Sequence, residues 1–166
     1  MMKILAVLLM MALLGTAGVF AGKALAAENE KNKQTVIYRS GSQGSFPGPD
    51  KWFTGNVKVD MLFPDNKVAA YSGGVVTFAP GARTAWHAHP AGQRLIITEG
   101  VGWVQEWGGP VVEVKAGDSV WFPPGVKHWH GASAGEGMKH IALTSVENGK
   151  NSDWMEKVSD EQYRKN

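Results

Sequence analysis

Residues 81–100 read G-A-R-T-A-W-H-A-H-P-A-G-Q-R-L-I-I-T-E-G, and the fold turns on how this stretch must reverse direction. On a strand, alternate side chains share a face, so His87 and His89 point to the same side. Pro90, Ala91 and Gly92 form a turn signal. The turn lets Gln93 open an apolar return strand beside the two histidines. Two imidazoles and an amide oxygen then converge on one point, which is three sides of a metal site. The bland reading of Gln93 is an exposed turn residue. Its entry into Leu95-Ile96-Ile97 on the histidine face speaks against that.

The same grammar continues outward. Val57, Val59 and Met61 alternate with Lys58 and Asp60, which predicts a half-buried strand. Residues 68–72 and 75–78 flank Gly73-Gly74, which predicts a hairpin. Strands are expected over 84–89, 93–99, 101–107 and 111–114, with Gly108-Gly109 turning between the last two. Residues 119–122, 127–132 and 138–146 complete the set, and Gly135-Glu136-Gly137 is a turn. Upstream, 35–38 could add an edge strand, and the Gly-, Ser- and Pro-rich 40–50 reads as loop. Only 159–164 has helical character, with Ser159 as a cap before Asp160 and Glu161. Many short strands at roughly 8–12-residue spacing argue for an all-β antiparallel sandwich or barrel. No internal repeat is visible, which disfavours a propeller.

A length of 166 residues fits one domain, and 43% apolar content is enough for a core. The net charge of +2 resides in residues 1–26, which carry Lys3 and Lys23 and no acid; the remainder holds 15 basic against 15 acidic residues. Nucleic-acid binding and docking on an acidic membrane therefore have no electrostatic support. With no cysteine there is no disulfide framework, zinc ribbon or thiol chemistry. Residues 1–26 read as a secretory signal: Lys3, an apolar run over 4–21, then Ala24-Leu25-Ala26 as an A-x-A cleavage site before Ala27. The alternative for the same run is an uncleaved anchor. The expectation is an exported protein, periplasmic or secreted and free of the membrane after signal removal. Residues 27–50 would form a polar linker and N-terminal arm, and 51–166 the folded domain.

All five histidines fall between positions 87 and 140: His87, His89, His128, His130 and His140. Four form two H-x-H pairs, and His128-Trp129-His130 repeats the face logic of the first pair. Imidazole suits Zn, Cu, Fe, Ni and, with oxygen donors, Mn. The alternative is a cluster of hydrogen-bonded structural histidines.

Here the chain becomes recognisable. Gly81, His87, His89, Gln93 and Gly100, spaced G-x5-H-x-H-x3-Q-x6-G, resemble the first cupin motif, whose usual form has Glu in place of Gln93. Gly117, Pro123, Gly125 and His128, spaced G-x5-P-x-G-x2-H, resemble the second, whose usual final Asn is Ala132 here. The resemblance implies a small single-domain cupin, an all-β jelly-roll barrel, with a short C-terminal helical turn. It names His87, His89, Gln93 and His128 as metal ligands. Trp52-Phe53-Thr54-Gly55, residues 81–93 and 120–131, Asp153-Trp154-Met155 and Asp160-Glu161-Gln162-Tyr163 are similar to the bacterial cupin-type hydroxynitrile lyases. That likeness implies one divalent metal ion, usually manganese, with iron, zinc, copper or nickel as other occupants. It also implies a further pocket histidine at His140, and cleavage of aromatic cyanohydrins to an aldehyde and cyanide. A homo-oligomer, dimer or tetramer, is implied by analogy with other cupins. The chain departs from that family at its N-terminus, which carries the export signal.

A Glu ligand would bring a negative charge to the ion; neutral Gln93 leaves it fully dipositive, a stronger Lewis acid and a better anion site. His140 and His130 are the candidates for acid–base work, since an unligated imidazole beside a cation is biased to its neutral form. For each, the alternative is a structural histidine. Of seven tryptophans, Trp86, Trp103, Trp107, Trp121 and Trp129 fall in strands or at their ends, where barrel packing explains most of them. Val76, Phe78, Leu95, Ile97 and Ala142 are expected to wall an apolar pocket for a small-molecule substrate. Thr84 sits an odd step off the histidine face and is not pressed as a site residue, although the preceding loop could turn it inward. The functional expectation is a hydroxynitrile lyase-like enzyme. The alternatives are a metal-dependent dioxygenase of a small aromatic or dicarbonyl compound, and a non-catalytic binding cupin.

Overall fold

The computed structural model describes residues 34–164, so the expected signal over 1–26 lies outside the described residues. Its contacts divide the chain between Ile37 and Tyr38, and the unit described below begins at Tyr38. Twelve strands and one short helix follow in order: β1 (Ser45–Pro47), β2 (Phe53–Thr54), β3 (Val57–Phe63), β4 (Tyr71–Phe78), β5 (Arg83–Thr84), β6 (His87–Ala88), β7 (Gln93–Glu106), β8 (Val112–Lys115), β9 (Ser119–Phe122), β10 (His128–Ala132), β11 (Met138–Ser145), β12 (Asp153–Trp154) and α1 (Asp160–Arg164). They curl into one antiparallel sheet with the path β1-β3-β4-β11-β7-β10-β5-β2. This is the expected all-β jelly-roll architecture with a C-terminal helical turn.

β7 is the hinge of the sheet. Its first half pairs with β11 and β9, its second with β10 and β8. The strands expected separately over 93–99 and 101–107 are therefore one strand, bent at Gly100 rather than broken there. Gly100 has φ +72°, and a Cβ at that point would overlap the Gly137 carbonyl, so only glycine lets β7 pass so close to the turn before β11.

Three other expectations are corrected. Gly73-Gly74 is no hairpin; both lie inside β4. Gly73 instead makes room for the Phe63 ring, which would stand 2.5 Å from a Cβ there. Residues 35–38 form no strand. The edge strand is β1, within the stretch read as loop, and it pairs Phe46 with Val59. Pro47 cost it the usual strand signature, yet proline is compatible with an edge, where a missing N–H leaves no ladder bond unmade.

Val57, Val76, Phe78, Leu95, Ile97, Val104, Phe122 and Met138 fill the barrel, and burying each large side chain contributes about 1.5–3 kcal/mol. Trp86, Trp129, Val158 and Tyr163 form a second cluster where the C-terminal segment folds back. Trp107 and Trp121, in contrast, are about half exposed. The helix is fastened by a capping box: Gln162 N–H donates to Ser159 Oγ, and Ser159 N–H donates to Gln162 Oε1. Buried Arg83 donates to the Val158 carbonyl and to Asp160, and Tyr163 O–H donates to the Ala132 carbonyl.

Candidate metal centre

Antiparallel pairing sets His128 of β10 directly opposite His87 of β6. Within β10 the two-residue period turns His128 and His130 to one face and Trp129 into the second cluster. β7 begins at Gln93 beside them, and β11 brings His140 to the same interior. All five imidazoles are buried. The ring centres of His87 and His128 are 4.3 Å apart, those of His87 and His89 5.0 Å, and those of His89 and His128 5.5 Å. Nitrogens of His87, His128 and His130 lie within 4.8 Å of one another.

His87, His89 and His128 are each held from behind by the main chain. Nδ1–H donates to a carbonyl in every case: His87 to Ala85 (2.9 Å), His89 to Asn151 (2.6 Å) and His128 to Val126 (2.8 Å). A carbonyl can only accept, so these bonds select the Nδ1–H tautomer and leave each Nε2 with a lone pair aimed at the cavity. Stacking fixes the ring planes: Phe122 lies on His128 at 3.7 Å and Trp154 on His87 at 4.7 Å.

Gln93 completes the group. Its Oε1 lies 3.3 Å from His128 Nε2. His128 Nε2 and Gln93 Oε1 are then two acceptors facing one another. His128 does not relieve this by protonation, because burial drops its pKa to about 3. His89 Nε2 is buried without any partner. A divalent cation resolves both anomalies, since it accepts lone pairs and needs no proton. The donor set therefore fits a metal ion, and three histidines clustered in this way suit a divalent one.

His130 and His140 form a couple in the same cavity. His140 Nε2 lies 3.3 Å from His130 Nδ1, and the remaining nitrogens, His130 Nε2 and His140 Nδ1, are buried without a partner. Burial brings His140 down to about 3 and holds His130 and His87 well below the usual imidazole range; neighbouring imidazoles add to the effect on the latter two. Burial lowers His89 as well. Every imidazole here is neutral at physiological pH.

The cavity holds about 300 Å³. Val76 and Ala142 line it, with His140 and Thr144 on the same face of β11. Phe78, Leu95 and Ile97 do not line it; all three are packed in the core. Phe78 packs against His140 and His130, with ring centres at 5.6 and 6.0 Å. The aromatic wall is instead Trp52, Phe53 and Trp154, with the two tryptophans stacked at 5.2 Å. A larger groove of about 530 Å³ beside Trp121 contains no histidine, so chemistry rather than volume marks the site.

Counting alone does not place Thr84. The parity rule needs an unbroken strand, but the chain leaves strand geometry between β5 and β6, at Ala85-Trp86, and re-enters with its faces reset. Thr84 lines the cavity and accepts the His130 backbone N–H. Asn151, Ser152 and Trp154 were also missed as site residues. They lie on a strap running into β12, which pairs with β6 so that Trp154 faces His87. Ion pairs of Lys127 with Glu156 and Lys150 with Asp153 hold that strap, and Lys157 donates to the Asp50 and Phe53 carbonyls.

Comparison with known proteins agrees with this geometry. The family described as Cupin domain matches residues 74–144. The chain is 56% identical over 129 residues to an (R)-mandelonitrile lyase of Granulicella tundricola, covering 78% of this chain and 98% of that protein. A crystal structure of a cupin-like protein from Thermotoga maritima superposes with a TM-score of 0.69 at 43% identity, over 78% of this chain and 96% of the other. A cupin 2 conserved barrel domain protein from Rhodopseudomonas palustris, at 19% identity and a TM-score of 0.57, shares the fold over 67% and 76% of the two chains.

Proposed function

The chain belongs to the cupin family, and on that premise we propose that it is a metal-dependent lyase cleaving an aromatic cyanohydrin to an aldehyde and cyanide. The observation that carries this reading is the neutral His130–His140 couple, with two unpartnered nitrogens beside the metal-binding imidazoles. The 56% identity to an (R)-mandelonitrile lyase supports it. His87, His89, Gln93 and His128 would hold the ion, with manganese the occupant that the resemblance favours. When bound, a divalent ion with four neutral ligands supplies Lewis acidity and a positive site for an anion.

The residues of the chain supply the rest. Trp52, Phe53 and Trp154 offer an apolar wall for the aromatic ring, in a cavity at the lower end of the size usual for small ligands. His140 Nδ1 takes the hydroxyl proton. The oxygen's electron pair becomes the carbonyl π bond, and the C–C bond breaks with its electrons leaving on cyanide. His140 Nε2–H passes its proton to His130 Nδ1, and His130 Nε2–H protonates the cyanide. Protons and electrons balance, and each ring ends as its other neutral tautomer.

The test is racemic mandelonitrile with manganese-loaded protein. Benzaldehyde release above the metal-only rate supports the proposal. No release, in an assay where a known lyase is active, overturns it. Oxygen uptake by iron-loaded protein would instead favour a dioxygenase.

A further inference from the structure

We propose that Thr144 is a positioning residue for the metal site, its hydroxyl holding the Gln93 amide with the oxygen towards the imidazoles. The proposal rests on Gln93 being a ligand, as set out above. Thr144 of β11 and Gln93 of β7 are register partners, and both side chains line the cavity. Gln93 Nε2 donates to Thr144 Oγ1 at 3.2 Å, while Oε1 lies 3.3 Å from His128 Nε2.

A carboxylate has two equivalent oxygens and ligates through either. An amide does not: its oxygen can bind a cation, and its NH₂ cannot. Glutamine at this position therefore creates a requirement that glutamate would lack, namely a partner on the far side that accepts from the NH₂ while the oxygen faces the ion. The Thr144 hydroxyl is that partner. Without it, the buried NH₂ either stays unsatisfied or swings round to donate to the His128 Nε2 lone pair, which removes the oxygen from the ion and occupies an imidazole. Leaving a buried donor unsatisfied disfavours the ligating orientation.

The experiment is a chelator-competition titration of the full-length protein with Mn²⁺ alone. Thr144→Val, close to isosteric, should weaken binding roughly tenfold, and Thr144→Ser should restore it. In the Gln93→Glu background the same Thr144→Val change should cost less than about threefold, because a carboxylate needs little orienting. Unchanged affinity in folded Thr144→Val overturns the proposal, as does an equal loss in both backgrounds, which would mean packing alone. If Thr144→Val does not fold, Thr144→Ala is read by the same criteria. Absence of Mn²⁺ binding by the unaltered protein would instead overturn the metal-site reading itself.

Discussion

His128 Nε2 and Gln93 Oε1 face each other across 3.3 Å as two acceptors, with the only proton of the ring engaged behind it by Val126. A cation between them turns mutual repulsion into shared attraction. Metal binding should therefore stabilise the fold. At a free-ion concentration 100-fold above Kd the gain is about 2.7 kcal/mol, a rise in Tm of roughly 5–11 °C for a chain of this length. Differential scanning calorimetry with and without EDTA measures it, and His128→Ala should abolish the difference.

Acid should unfold the metal-free protein early. His128 and His140 are held at about 3 by burial but titrate near 6.5 once unfolded. Between those values the unfolded chain takes up protons that the folded chain refuses. Stability is thus fully present above pH 6.5 and falls as the pH drops, by about 1.4 kcal/mol per pH unit for each of the two groups. Burial of His87, His89 and His130 acts in the same direction. Urea midpoints should decline steeply from pH 6.5 to pH 5; a flat profile would mean that the imidazoles are hydrated.

His140→Ala should lower cyanohydrin cleavage by about 10²–10⁴-fold, the usual weight of a general base, while bound metal stays at the unaltered level. Steady-state rates paired with elemental analysis separate this from loss of the ion. Parallel loss of metal would place His140 among the ligands instead.

Gly100→Ala should cost at least about 4 kcal/mol, because the new methyl meets the Gly137 backbone at a positive φ. Gly108→Ala is the control. It has a similar φ of +80° but open space around it, so only the conformational penalty of about 1–2 kcal/mol applies. Chemical denaturation of both variants gives the comparison.

Asn151→Ala should leave Mn²⁺ affinity within about twofold, because it is the main-chain carbonyl of Asn151 that holds His89, and surface substitutions typically stay within about 0.5 kcal/mol. Isothermal titration distinguishes this from a side-chain role, for which affinity would fall tenfold or more.

The barrel and the clustering of the five histidines were legible in the sequence because strand alternation acts over two or three residues, the same range as an H-x-H pair. Where alternation is interrupted, the reading failed. Ala85-Trp86 resets the faces and hid Thr84. Gly100 bends one strand that reads as two, and Gly73-Gly74 accommodates Phe63 rather than turning the chain. Trp154 and Asn151 were out of reach for another reason: they meet His87 and His89 across more than 60 positions, through a backbone strap that no local pattern announces.

The carbonyls of Ala85, Val126 and Asn151 orient three imidazoles, and a carbonyl belongs to every amino acid. Substitution at these three positions leaves the contact in place as long as the backbone path survives. Lineages descended from such a barrel can exchange the side chains at these three positions while the grip on the histidines is inherited unchanged. The feature that makes the site precise is thus also what makes it evolvable.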